Sequence, residues 1–109
     1  EFKIEKLDTY NSIEKIISNF VELNDFQISA FPNPFNPKTL ISFEIKIDGI
    51  IDLEIFNLNG QSVYSQNNQF YFAGSHSIVW DASNHPTGIY LLNINSNNQI
   101  KSEKLMLIK

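Results

Sequence analysis

Residues 40–56 read LISFEIKIDGIIDLEIF. Ile41, Phe43, Ile45 and Ile47 alternate with Ser42, Glu44 and Lys46; then Ile51, Leu53 and Ile55 alternate with Asp52 and Glu54. A period of two sends successive side chains to opposite faces of a strand, so this stretch predicts two strands with one buried face each. Asp48-Gly49 between them predicts a two-residue hairpin turn, because both residue types tolerate positive φ. The pattern continues in both directions. Phe26, Ile28 and Ala30 alternate with Gln27 and Ser29. Asn59-Gly60 predicts a hairpin leading to a short strand over 62–65, and Asn67-Asn68 marks a loop. Gly74 introduces a strand over 75–80 with His76, Ile78 and Trp80 on one face. A turn-rich loop over 81–87 contains Pro86, Gly88 opens a strand over 89–95, and Asn97-Asn98 turns the chain into a strand over 100–108. About seven short strands with regularly spaced turns predict an antiparallel β-sandwich. Ile41, Phe43, Ile45, Leu53, Ile55, Ile78, Trp80 and Leu92 are the expected core.

Just before the first clear alternation stands FPNPFNPKT at 31–39, with prolines at 32, 34 and 37. Proline fixes φ near about −65° and drives the preceding residue toward extended geometry. The segment is therefore expected to be polyproline-like or turned, forming a rigid corner between the first two strands. Phe31 and Phe35 are expected to plug one end of the sandwich. The prolines lack N–H donors, which discourages another strand from pairing there.

The first 25 residues differ in character. Ile13, Ile16, Ile17, Phe20 and Val21 follow helical spacing, with Asn11 placed to cap and Glu14 at the capping-box position. The β-branched residues and the alternation of Phe2 with Ile4 leave an irregular or extended segment open. Asn24-Asp25 reads as the boundary.

The 109 residues, 42% hydrophobic and 13% aromatic, suit one small packed domain. A net charge of −4 with no arginine is a poor footprint for a phosphate backbone, so nucleic acid is not an expected partner. No apolar run approaches the roughly 20 residues that span a bilayer, so membrane insertion is not expected. The absence of cysteine removes disulfides, thiolate metal sites and cysteine nucleophiles. His76 reads as a packed strand residue and His85 as a solvent-exposed loop residue. Asp81 reads as the head of an Asx-type turn, with calcium binding the distant alternative. Asp48, Asp52 and Glu54 read as a solvated face. Tyr71 and Tyr90 could stack on sugar rings, though a wall or core position is the commoner use of a tyrosine in a sandwich. No nucleophile–base–acid spacing and no phosphate loop is visible. The residues alone thus predict a small β-sandwich with no catalytic, metal or cofactor site.

Four patterns in order carry a resemblance: FPNPFNPKT at 31–39, LEIFNLNGQSV at 53–63, GSHSIVWDASNHPTGIYLLNI at 74–94 and SEKLMLIK at 102–109. Together they resemble the type A C-terminal sorting domain of the type IX secretion system, an Ig-like β-sandwich of exported proteins in Bacteroidetes. An Ig-like module of the flagellar hook-capping protein shares much of the middle pattern. The resemblance spans roughly residues 26–109, leaving 1–25 as an extension or linker from a preceding cargo. Pro32, Asn33, Pro34 and Phe35 match the family's opening motif. Gly60 matches its hairpin glycine, Trp80-Asp81 its tryptophan–aspartate pair, and Gly88 with Tyr90 its Gly-x-Tyr strand start. Lys104, Leu105, Met106, Leu107, Ile108 and Lys109 match its terminal signal strand. Ala82 stands where the family often has glycine, and the strand after Gly88 lacks a common arginine.

The resemblance implies a non-catalytic domain that directs an N-terminally linked cargo through the periplasm and across the outer membrane. The partners it implies are the type IX translocon and a sortase that usually removes the domain, and the destination is secreted or cell-surface. The last strand would offer backbone donors and acceptors for strand addition. Its lysines would serve recognition or guard an edge against random pairing. The other classes in view are an accessory module, for example a carbohydrate-binding one, and an Ig-like spacer.

Overall fold

The computed structural model describes residues 11–18 and 25–109. Residues 11–18 are helical, with Ile13, Ile16 and Ile17 exposed. The helix thus exists where the spacing placed it. Asn11 is already helical, while Phe20, Val21 and the residues before Asn11 lie outside the described residues.

Seven strands follow: β1 (Phe26–Phe31), β2 (Lys38–Ile45), β3 (Gly49–Phe56), β4 (Ser62–Tyr71), β5 (Gly74–Asp81), β6 (Gly88–Ser96) and β7 (Gln99–Leu107). They form one sheet in the order β1-β2-β5 and a second in the order β4-β3-β6-β7, with every strand pair antiparallel. Their inner faces meet in one core that includes Phe26, Phe43, Ile51, Leu53, Leu92 and Leu105. This is the antiparallel sandwich that the alternation predicts, of the Ig-like kind that the family resemblance implies. Of the expected core residues, all but Ile78 are buried, and Ile78 packs half-buried against the rest.

Three local readings need correction. Asp48-Gly49 is not a hairpin: β2 and β3 lie in different sheets, and Gly49 does not adopt positive φ. Its role is to cross the chain between layers, held by Asp48 Oδ1, which accepts the Ala73 N–H at 2.7 Å. Asn67-Asn68 is not a loop. β4 runs through it with a bulge, since Ile51 pairs with Gln69 and Leu53 with Gln66, leaving Asp52 opposite both asparagines. Asn68 takes φ 60° and its N–H donates to Asp52 Oδ1 at 2.7 Å, which replaces the lost ladder bond. Asp48 and Asp52 are therefore backbone anchors rather than members of a solvated cluster. The third correction is Phe31, which is 78% exposed on the outer side; only Phe35 fills the end of the sandwich.

Two turn readings hold. Gly60 has φ 80° in the β3–β4 hairpin, where Asn57 Oδ1 accepts the N–H groups of Asn59 and Gln61. Asn97 and Asn98 have φ 52° and 64° between β6 and β7, the paired positive values a tight hairpin requires.

Candidate functional site

The residues 32–35 do not extend as polyproline. The peptide bonds before Pro32, Pro34 and Pro37 are cis, and the segment turns to lie along β7. Proline has no N–H, so the residues between the prolines make the polar contacts. The Phe35 N–H donates to the Met106 carbonyl at 2.9 Å, and the Ile108 N–H donates to the Phe35 carbonyl at 3.0 Å. Phe35 and Leu107 form a parallel bridge. One step earlier the Asn33 side chain does what a backbone peptide would do. Its Nδ2 donates to the Lys104 carbonyl at 2.7 Å, and its Oδ1 accepts the Met106 N–H at 2.9 Å. Thr39, buried to 1% exposure, donates its hydroxyl to the Pro32 carbonyl at 2.8 Å and fixes the corner from below. Sequence reading missed Thr39; the only available sign was a β-branched hydroxyl two residues after Pro37.

Phe35 then meets Trp80 with ring centroids 5.6 Å apart. Trp80, 2% exposed, also meets Tyr90 edge-on at 5.4 Å and His85 at 5.7 Å. His85 is thus half-buried against the indole rather than free in solvent. Tyr90 is buried and its hydroxyl donates to the Pro86 carbonyl at 2.6 Å. A tyrosine at the start of this strand, bonded to backbone a few residues upstream, is the corner device of Ig-like sandwiches. Burial raises its pKa. Tyr71 is half-buried, edge-on to Phe43 at 5.1 Å. Neither tyrosine is an exposed platform. His76 is the packed strand residue expected, donating Nε2–H to the Phe72 carbonyl at 2.7 Å.

Asp81 heads an Asx turn: its Oδ1 accepts the N–H and hydroxyl of Ser83. Those bonds, the hydroxyl's first, hold its pKa below the ordinary carboxylate value. Ala82, fully buried, donates its N–H to the Pro37 carbonyl at 2.9 Å. Lys109 closes the same corner. Its N–H donates to Thr87 Oγ1 at 3.1 Å and its ammonium donates to the Ser83 carbonyl at 2.6 Å. The hairpin loop around Gly60 lies at this end as well, since Asn57, Leu58 and Asn59 line a shallow hollow with Pro86, Thr87 and Gly88.

The structure therefore brings together Pro32, Asn33, Pro34, Phe35, Trp80, Asp81, Gly88 and Tyr90 with Lys104, Leu105, Met106, Leu107, Ile108 and Lys109 at one end of the sandwich. Leu105 and Leu107 point into the core; Lys104 and Ile108 are exposed and Met106 is half-buried. Gly88 needs no glycine for space, since a Cβ there would meet nothing within 4 Å. Among the described residues no three His, Cys, Asp or Glu side chains converge as for a metal. No described helix is long and apolar enough to cross a membrane.

Three comparisons bear on this arrangement. Among solved structures, the chain is similar to dimeric latent PorU from Porphyromonas gingivalis, with TM-score 0.57 and 18% identity. That match covers 76% of this chain and 9% of the PorU chain, so this chain corresponds to a small part of it. A DUF3244-family protein from Bacteroides vulgatus with an immunoglobulin-like β-sandwich fold gives TM-score 0.49 and 15% identity, covering 76% of this chain and 94% of that one. No curated protein matches the chain. The family model for the secretion system C-terminal sorting domain matches residues 29–109, taking in every strand from the middle of β1 onward. With the motifs assembled at one end of an Ig-like sandwich, the chain belongs to the C-terminal sorting domain family of type IX secretion.

Proposed function

We propose that residues 26–109 are an address that carries an attached protein from the periplasm across the outer membrane through the type IX translocon, with a sortase removing the domain afterwards. In this reading residues 1–25 carry the junction with the cargo, and the domain itself performs no chemistry. The observation that supports it is the convergence of the family's motif residues, far apart in sequence, around the Lys104–Lys109 strand end. A machine that must recognise many unrelated cargoes needs a rigid feature independent of them, and a strand end locked by Asn33, Phe35 and Lys109 is such a feature.

The carbohydrate-binding alternative finds less support. Among the described residues the exposed aromatics are Phe31, Phe70 and Phe72, which offer no hydroxyl or indole donor. The rings of Phe70 and Phe72 stand at 87° to each other, not as a flat platform.

The test is to fuse the whole chain behind a fluorescent reporter bearing a Sec leader, in a bacterium with a type IX system. The reporter is expected at the cell surface or in the medium. Retention in the periplasm, while an established sorting domain exports the same reporter, would falsify the assignment.

A further inference from the structure

We infer that the sorting machinery reads the outward side-chain face shared by β6 and β7, formed by Ile89, Leu91, Met106 and Lys104, and not the backbone edge of β7. This inference rests on the sorting reading above. Strand addition needs a row of free backbone donors and acceptors. Along the end of β7 that row is already occupied. The Lys104 carbonyl, the Met106 N–H and carbonyl, and the Ile108 N–H are all bonded to Asn33 or Phe35, while the opposite side of β7 is paired to β6. The segment that covers the edge offers no N–H at Pro32 or Pro34, so it cannot recruit a strand in its turn. Strand addition at this end would have to displace Asn33 and Phe35, so what β7 presents to a partner is side chains.

Those side chains form a surface with β6. Leu91 lies opposite Lys104, and Ile89 opposite Met106. Leu91 also lies opposite Phe56 on β3, which extends the apolar surface by one strand. Leu91 is 43% exposed, and Ile89, Met106 and Phe56 are half-buried. Toward the other end of the same face Asp52, Glu54, Asn93 and Asn95 interleave with exposed Ile50 and Ile100. The stretch whose outward positions carry no carboxylate, Phe56, Ile89, Leu91, Met106 and Lys104, lies at the end where the family motifs meet. Lys104 has no ion-pair partner among the described residues. Nor is it needed to guard an edge, since Asn33 and Phe35 cover that edge. A free ammonium beside an apolar surface fits a partner that presents apolar side chains with a carboxylate opposite Lys104. The occupant assigned is a component of the secretion machinery with that chemistry.

The test uses the full-chain reporter fusion and places two changes on β6, outside the terminal strand 104–109, and one on β7. Leu91→Asp and Ile89→Thr are expected to reduce export to the level of the reporter without the domain. Lys104→Glu should do the same. Val79→Asp is the control, because Val79 is 58% exposed on the other sheet and should export normally. Thermal melts of the purified variants confirm folding. Leu91→Gln keeps the bulk without a charge and serves if Leu91→Asp melts early. Normal export of folded Leu91→Gln and Ile89→Thr would overturn the inference, as would equal loss from Val79→Asp. A rise in export on freeing the edge with Asn33→Ala would overturn it too. Failure of the unaltered fusion to export overturns the sorting reading itself, and this inference with it.

Discussion

Asn33 offers the sharpest test of how the strand end is held. Asn33→Ala removes one bond to the Lys104 carbonyl and one from the Met106 N–H, the latter partly buried. Each such bond contributes about 0.5–1.5 kcal/mol net, so the pair sums to about 2 kcal/mol. For a domain of this size, about 2 kcal/mol lowers Tm by about 8–16 °C. The loss should be local before it is global: the Met106 amide loses its protection from hydrogen exchange, while the Leu92 and Ile94 amides in the centre of the sheet change only with overall stability. Asn33→Asp separates the two bonds. It keeps an acceptor for the Met106 N–H but turns a carboxylate oxygen toward the Lys104 carbonyl. Desolvation and repulsion raise that carboxyl's folded pKa, so its protonated form is the better tolerated one. The variant should therefore gain stability relative to the parent as pH falls through that raised value, and lose it as pH rises. The readouts are denaturant melts and amide exchange by mass spectrometry or NMR. If Asn33→Ala melts with the parent and Met106 stays protected, the side chain does not hold β7 and the reasoning is refuted.

Trp80→Ala should cost about 3–5 kcal/mol by denaturant melt, since a fully buried indole shared by Phe35, His85 and Tyr90 leaves a cavity. Tyr90→Phe should cost about 1 kcal/mol by losing the bond to Pro86 while keeping the ring. Gly60→Ala should cost about 1–2 kcal/mol because φ is 80° there, whereas Gly88→Ala, with open space and no positive φ, should melt with the parent. Asp25, bonded to Lys101 at 2.9 Å, and Asp81, bonded to Ser83, both have folded pKa values lowered by those bonds. A depressed carboxyl stabilises above its unfolded pKa, so their contribution should be present at neutral pH and vanish as pH falls through the depressed values. Melts across the acid range with Asp81→Asn should show a smaller acid loss than the parent.

Strand positions were legible because each has one buried face, and alternation records that face directly, as in Ile41–Ile45 and Leu53–Ile55. Positive-φ turns were legible at Asn59-Gly60 and Asn97-Asn98 because the residue type carries the conformation. Asp48-Gly49 misled because a short polar turn looks the same whether the next strand pairs with the last or crosses to the other sheet. That choice is made by long-range pairing of β2 with β5 and β3 with β6. Asn67-Asn68 misled because a bulge needs the same αL-tolerant residue as a loop, and only the Asp52 carboxylate across the ladder distinguishes them. At the strand end, the motif residues were legible through the family resemblance, but not their mutual arrangement. Nothing local in Asn33 says that its amide will stand in for a peptide group on β7.

The contact between Asn33 and β7 joins residues 71 and 73 positions apart. During synthesis the proline segment emerges early and waits for nearly the whole sandwich before its partner exists. A chain that stops short of β7 leaves Asn33 and Phe35 without partners, Leu92 and Ile94 with one side of their strand open, and the Trp80 end unclosed. The strand end takes its final form only when translation and folding of the sandwich are both complete. If that end is the address, it exists only in a sandwich that has gained its seventh strand, and chains cut short before β7 carry no address to be read.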